Sequence, residues 1–528
     1  MNASSIRDTD VLIVGAGPTG LVLALWLTAL GVRVRIVDKT AEPGTTSRAL
    51  AVQARTLELY HQVGLADAVV ERGRMLAAAN LWVAGKKVAR AVFGEMGTGL
   101  SPYPYALIFP QDEHERLLID RLAGAGVTVE RRTELLDLDA GTGRVLAHLK
   151  GPDGTVDACE AAYIAGCDGA HSSVRETLQI GFPGGTYAHL FYVADVKGSG
   201  AAMNGELHVA LDTTDFLAVF PLKGEGRARL IGTVREDVER QHENLSWNDV
   251  SRRVIEWMRI DIERVHWFST YRVHHRVADR FRKGRAFVLG DAAHIHSPVG
   301  GQGMNTGIGD AVNLAWKIAA VLHGRAEASL LDSYEPERIA FARRLVATTD
   351  RAFTGVTSPG PIARRVRLSI VPLLVPTFFA FAMARRLMFR TISQTAVSYR
   401  GSSLSVGRGG AVHGGDRLPW VKPNGGDPDN FTPLTSLDWQ VHVYGDAGSE
   451  VKALCEGRAL SLHVFPWRAQ MGRAGLRRNA VYLVRPDGYV GLADPDGSAT
   501  AVTSYLDARK ITTMLRRPPP AGAGKQRR

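Results

Sequence analysis

Gly15-Ala16-Gly17-Pro18-Thr19-Gly20 is a GxGxxG run near the start of the chain. Glycines at that spacing suit one task above others, the holding of a pyrophosphate by backbone N–H groups. Gly15 permits a tight turn, Gly17 lets the main chain approach the phosphates, and Gly20 lets a following helix pack closely on a strand. Asp38 follows about 20 residues on, where an acid accepts hydrogen bonds from ribose hydroxyls, with Lys39 beside it. Two later segments carry acids in similar settings. Tyr163–Arg175 (YIAGCDGAHSSVR) contains Asp168-Gly169, and Ala286–Gly309 (AFVLGDAAHIHSPVGGQGMNTGIG) contains Gly290-Asp291. In the second of these, Pro298, Gly301, Gly303, Met304 and Asn305 belong to a glycine-rich loop. Glycines there can lay bare N–H groups against a flat ring system, because they raise no Cβ barrier.

These residues need particular elements to hold them. Asp10–Val14 (DVLIV) is a continuous apolar run suited to a strand covered on both faces. The GxGxxG turn follows, then a helix over Leu21–Leu30 with Gly31 as C-cap, then a strand over Val32–Val37 that ends in Asp38. That is a complete βαβ unit, and its context makes the glycine motif a dinucleotide site. An apolar strand precedes each later acid, and a helix is expected around Asp310–Leu322. His294 and His296 show no neighbouring carboxylate or cysteine ligand pattern and read as loop-packing residues.

Between Phe182 and Arg282 the pattern turns to short alternating strands, Glu206–Leu211, Phe216–Pro221 and Ala228–Val234, with a turn at Lys223–Gly226. Such a sheet would cover a ligand and supply an apolar wall, with Tyr192, His208, Phe220 and Trp267 as candidates to line it. After a loop-rich stretch from Gly401 to Thr432, strands are expected at Trp439–Tyr444, Leu460–Val464, Ala480–Arg485 and Tyr489–Leu492.

Taken in order, the three nucleotide segments resemble the fingerprints of the FAD-dependent aromatic hydroxylases, the single-component flavoprotein monooxygenases related to para-hydroxybenzoate and phenol hydroxylases. The resemblance implies FAD as cofactor and NAD(P)H as co-substrate. It places Asp291 on the ribityl chain, and it sets the loop of Pro298, Gly301 and Gly303 beside the isoalloxazine. The N–H groups of Gly303, Met304 and Asn305 meet the flavin's pyrimidine edge, and Asp168 touches both cofactors. Ser47-Arg48-Ala49 and Pro110-Gln111-Asp112 also match, which implies FAD contacts for Arg48 and Gln111. The last module resembles a thioredoxin-like domain without a CxxC, for which packing or homo-oligomerisation is the expected role. The fold implied is α/β: a Rossmann-like FAD-binding domain, an inserted β-sheet substrate domain and a C-terminal thioredoxin-like α/β domain. Residues 1–182, with an excursion near 76–104, and 283–400 form the first domain and its following helices. Residues 183–282 form the second, 401–515 the third, and 516–528 a disordered basic tail.

The activity implied is hydroxylation of a phenolic or polycyclic aromatic substrate by dioxygen through a flavin C4a-hydroperoxide. The chain departs from some phenol-hydroxylating relatives in having Leu50 where they place an acid, so no catalytic base is evident. There is no second GxGxxG for NAD(P)H and no halogenase WxWxIP. Epoxidation or Baeyer–Villiger insertion on the same scaffold, an oxygen-independent flavin reductase, and a peripheral-membrane flavoprotein with a partner-binding module stay open as alternatives.

Composition narrows the partners. With 528 residues, two to four domains are expected. The 45% hydrophobic and 22% charged content describes a folded chain. The net charge of +11 concentrates in two places: Arg343–Arg390, with nine Arg and the single acid Asp350, and the last thirteen residues, with five Lys or Arg. The remainder is close to neutral, which argues against nucleic acid as partner. Cys159, Cys167 and Cys455 form no zinc-ligand spacing, so no metal is expected. The polar start Met1–Asp10 lacks a signal-peptide pattern, and a cytoplasmic location is expected. Leu368–Ala384, broken by Pro372 and Pro376, is shorter than the ~20 residues of a spanning helix. Flanked by Arg pairs, it reads either as helices packed on the body or as a peripheral membrane contact.

Overall fold

The computed structural model describes residues 7–44, 49–141, 143–211, 216–234, 245–297, 301–357, 380–426 and 428–513, with 365, 366 and 370 between them. The chain divides into two compact units. One comprises residues 1–315 and 334–397, the other residues 316–333 and 398–528.

The first unit is built on an eight-stranded sheet. Its central strands run Ala286–Val288, Val156–Gly166, Arg7–Val14, Val34–Asp38 and Val129–Arg131, all parallel. Val11, Leu12 and Ile13 are fully buried, as a strand covered on both faces requires. The helix Pro18–Ala29 returns the chain between the first two of these strands in sequence, and Gly20 through Leu27 are buried along it. A one-face stripe is absent because both sides of this helix are covered.

The second sheet of this unit is curled over the first domain's loops. Its order is His294–Ile295, Ile260–Val277, Gly184–Gly200, Arg227–Thr233, Phe216–Pro221, Leu207–Leu211, Ala78–Val83 and Lys86–Val92. The early excursion therefore contributes its two last strands, joined through a parallel pairing of Leu207–Leu211 with Ala78–Val83. Side chains alternate across this sheet. Phe191, Val193 and Ile231 enter an inner cluster with Leu50, Ala54 and Phe389. Tyr192, Ala194 and Val196 enter an outer cluster closed by Val254, Ile255 and Met258.

The second unit has a six-stranded sheet in the order Val412–His413, Val406–Gly409, Val490–Asp494, Val481–Val484, Gln440–Tyr444, Ser461–Phe465. Gln440–Tyr444 and Ser461–Phe465 are parallel across the helix Ser449–Gly457, and a β-hairpin and the helix Ala499–Ala508 follow. This β-α-β, β-β-α arrangement is the connectivity the thioredoxin resemblance implies. Its Cys455 is buried and unpaired. The basic tail expected at 516–528 lies outside the described residues.

Candidate functional site

The parallel sheet brings the three fingerprint segments to one edge. Gly15 N donates to Val37 O at 2.8 Å, Cys167 N to Val14 O at 2.7 Å, and Leu289 N to Gly166 O at 3.0 Å. Each bond hooks one loop onto the end of the neighbouring strand, so Asp38, Gly17, Asp168 and Asp291 stand in a row at the carboxyl ends of the strands. Ligands of open α/β sheets bind there.

The glycines divide by what surrounds them. Gly15 has φ +101°, and a Cβ on it would lie 2.4 Å from Cys167 O. A Cβ on Gly20 would lie 2.0 Å from Gly15 O. A Cβ on Gly17 would meet nothing within 4 Å. Gly17 is also the N-cap of Pro18–Ala29, with no side-chain capping bond. The helix's uncapped N–H groups and its partial positive charge thus face open space, the cradle an anionic phosphate requires.

The acids are partly committed already. Asp38 Oδ2 accepts Ala16 N at 2.7 Å, and its Oδ1 accepts Thr40 N at 2.8 Å and Thr40 Oγ1 at 2.6 Å. A carboxylate offers about four acceptor sites, so the glycine turn is pinned and room for a ribose hydroxyl remains. Lys39 beside it is exposed. Asp168 Oδ2 accepts Val174 N at 3.2 Å, whereas its buried Oδ1 has no partner. Desolvation pushes that carboxyl above its ordinary range. Asp291 is exposed in the turn Gly290–Ala292. Arg175 ties the second segment to the third by donating to Ala170 O at 2.9 Å and Ala292 O at 3.1 Å.

The last loop enters a helix earlier than expected, at Gly303 rather than near Asp310. Gly307 and Gly309 lower helix propensity in sequence. Here they admit close neighbours: a Cβ on Gly307 would lie 2.3 Å from Thr19 Oγ1. Thr306 N donates to Gln302 O at 2.9 Å, which leaves the N–H groups of Gly303, Met304 and Asn305 without acceptors inside the helix. Asn305's side chain is used up by the protein. It donates to Ala51 O and Gly301 O, both at 2.8 Å, and accepts from Gln53 N at 2.9 Å and Thr56 Oγ1 at 2.7 Å. Only its backbone N–H is left to offer a cofactor. Gly301, at φ +61°, adopts the left-handed turn this junction needs. Pro298 and Arg48 lie outside the described residues. Gln111 donates to Glu115 Oε1 at 2.8 Å and accepts Ala49 N at 3.3 Å; its amide clamps the chain that leaves Arg48.

The reading of His294 as a residue with no nearby carboxylate is corrected. Its Nε2 lies 2.7 Å from Asp310 Oδ2, and Asp310 also bonds Arg338 Nε at 2.5 Å and Gly290 N at 3.0 Å. All three side chains are buried. Burial opposes the charge on Asp310, but Arg338 and His294 outweigh it and hold the carboxyl below its ordinary value. The network braces the Gly290-Asp291 turn from below. Sequence reasoning missed it because its members are 16 and 28 residues apart. The one local signal was an acid inside an apolar helix.

Among the described residues, burial favours the neutral form of several histidines: His114 is pushed down to about 3, His208 and His296 to about 4, and His442 well below its ordinary value. An unfolded histidine titrates near 6.5, so the unfolded chain takes up protons first as pH falls. Stability is then fully present above about pH 6.5 and lost progressively toward pH 4. Thermal melts across that range should show the decline, and His296→Gln should flatten it relative to the parent at matched pH.

The four candidate wall residues separate by face. Phe220 and Trp267 pack on the inner cluster, beside Phe216 and Tyr271. Tyr192 packs among Trp247 and Phe268 in the outer cluster. His208 accepts Trp82 Nε1 at 2.9 Å, with its other nitrogen 2.8 Å from Asn204 Oδ1. Register places Tyr192 and His208 on the sheet's far side, so neither is brought to the inner face. That face carries a pair absent from the sequence reading. Arg229 is paired with Asp195 at 2.6 and 2.7 Å, its guanidinium 5.6 Å from the Trp267 ring centre.

A parallel nucleotide sheet with three loops at one edge, under a second sheet with an aromatic inner face, defines a two-sheet flavoprotein. The FAD-binding domain family matches residues 8–349, and the chain belongs to it. It is an FAD-dependent monooxygenase. Over 94% of its length it is 34% identical to 6-methylpretetramide 4-monooxygenase of Streptomyces rimosus, across 93% of that protein. The anhydrotetracycline hydroxylase OxyS of the same organism superposes with a TM-score of 0.76 at 28% identity, covering 96% of this chain and 99% of that one. The rebeccamycin biosynthetic enzyme RebC with reduced flavin gives 0.75 at 27%, covering 96% and 100%.

Proposed function

We propose that the chain hydroxylates a polycyclic aromatic substrate held between the flavin loops and the inner face of the second sheet. The observation that carries this reading is the inner cluster itself: Phe191, Phe216, Phe220, Trp267 and Tyr271 on one face, with Leu50 and Ala54 of the nucleotide domain. A flat apolar substrate fits such a wall, and the substrates in its relatives' names, 6-methylpretetramide and anhydrotetracycline, support the reading.

FAD, when bound, supplies the redox chemistry that links NAD(P)H and dioxygen to the substrate. Gly15, Gly17 and Gly20 with the helix behind them hold its pyrophosphate, Asp38 its ribose, and Asp168 and Asp291 its remaining hydroxyls. The N–H groups of Gly303, Met304 and Asn305 present partial positive charge to its ring edge. Arg229 and Asp195 together place a net-neutral ion pair on an otherwise apolar wall, a polar feature against which a polar group of the substrate can be oriented. The two sheets exclude water from the reacting atoms. NAD(P)H is read as a transient visitor on the flavin domain.

Incubation of holoenzyme with NAD(P)H, labelled dioxygen and a panel of polycyclic phenols tests this. One labelled oxygen should enter the ring as a hydroxyl. A labelled lactone or epoxide would favour the alternative insertions, and reduced product without label would overturn oxygenation. Phe220→Ala and Trp267→Ala should each raise KM about tenfold with FAD content unchanged, the size of a lost aromatic contact. Tyr192→Phe, on the outer face, should leave KM within about twofold.

A further inference from the structure

We propose that the exposed face of the helix Ala382–Ile392 is a peripheral docking surface for an anionic lipid bilayer. The helix has two faces of unlike character. Phe389 is 2% exposed, its ring so close to Gly97 that a Cβ there would lie 2.7 Å away, and Met388 packs on the inner cluster. On the other side, Met383 is 83% exposed and Leu387 59%, with Phe381 64% exposed just before the first turn. Arg386 and Arg390 are exposed as well. Met383, Arg386, Leu387 and Arg390 follow the i, i+3, i+4, i+7 spacing, so they form one stripe along the helix.

A solvated helix keeps large apolar side chains off its outer face. Here they alternate with arginines, whose stems can lie along hydrocarbon while their heads reach phosphate. The surrounding sequence reinforces the sign, with nine Arg and one acid from Arg343 to Arg390. That charge favours anionic lipid over a second copy, because a twofold contact would bring two copies of the same arginine-bearing stripe together. Among the described residues no helix is long and apolar enough to cross a membrane, so the contact is peripheral. Because the buried face of this helix packs on the aromatic cluster, docking would hold a bilayer-dissolved apolar substrate beside its wall. That consequence rests on the proposed function, whereas lipid binding itself is read without turnover.

Flotation of holoenzyme with phosphatidylcholine vesicles, with and without phosphatidylglycerol, tests the proposal. The parent should float with the anionic vesicles, not with the neutral ones, and high salt should release it. Met383→Glu combined with Leu387→Glu should cut binding about tenfold or more, and so should Arg386→Gln combined with Arg390→Gln. Flavin absorbance and melting temperature, unchanged in both, show that the fold is intact. Absence of flotation by the parent, or equal flotation by both double variants, would overturn the proposal. So would a concentration-dependent dimer that the glutamate variant abolishes, since the face would then bind a second copy.

Discussion

Gly17→Asp is expected to give a folded chain that holds FAD about a hundredfold or more less tightly than the parent, a loss near 3 kcal/mol. The fold should survive for two reasons. The position has φ −78°, which any residue adopts, and a Cβ there meets nothing within 4 Å. An aspartate at this N-cap even satisfies helix N–H groups that now have no side-chain partner. That is why FAD should be lost: the carboxylate takes the donors and sets a negative charge against the pyrophosphate, and like charges in contact cost several kcal/mol. Gly15→Ala and Gly20→Ala make the contrast. Their Cβ atoms would lie 2.4 and 2.0 Å from backbone oxygens, so binding and stability should fall together. Titration of apoprotein with FAD, followed by flavin fluorescence alongside circular dichroism, separates the two outcomes. Retention of FAD by Gly17→Asp at parental affinity would remove the cradle assignment.

Asp310→Ala should cost about 3–5 kcal/mol of stability, the range for breaking a buried ion pair from one side. The substitution leaves Arg338 charged and buried, and it strips partners from His294 and from the Gly290 N–H. Most of the loss is the buried Arg338 cation without its carboxylate, so Arg338→Met added to Asp310→Ala should recover part of it. Asp310→Asn keeps the shape and one acceptor and should fall between. Urea denaturation of the three variants checks the order. A change under about 1 kcal/mol for Asp310→Ala would mean that the network is not bracing the turn. FAD affinity should fall with stability, because Gly290 and Asp291 lose their support together.

The nucleotide half was legible because its signals are local. A tight turn, a strand-end acid and a helix start lie within a few residues of each other, and the chemistry of each stands in its own residue type. The βαβ limits were placed within a few residues, as were three short middle strands and the C-terminal strands, whose alternating or continuous apolar runs report burial directly; the long strands Gly184–Gly200 and Ile260–Val277 were not placed. The helix start at Gly303 was less readable, since Gly307 and Gly309 look like helix breakers until Thr19 and Arg338 are seen against them. The wall residues were harder still. Tyr192 and Phe220 are equally aromatic and lie in equally regular strands, and only register tells which face each occupies.

By itself the sequence determined the class of cofactor, the order of the elements and the place along the chain where charge accumulates, because turn chemistry, apolar periodicity and residue counts are properties of short segments. Tertiary structure decided the rest. It set Asp310 against His294 and Arg338, spent the Asn305 side chain on the protein, divided the aromatic candidates between two faces and turned Met383 and Leu387 outward. Each of these depends on which distant segment arrives opposite a side chain. Burial and hydrogen bonding are settled by that arrival, and no spacing along the chain encodes it.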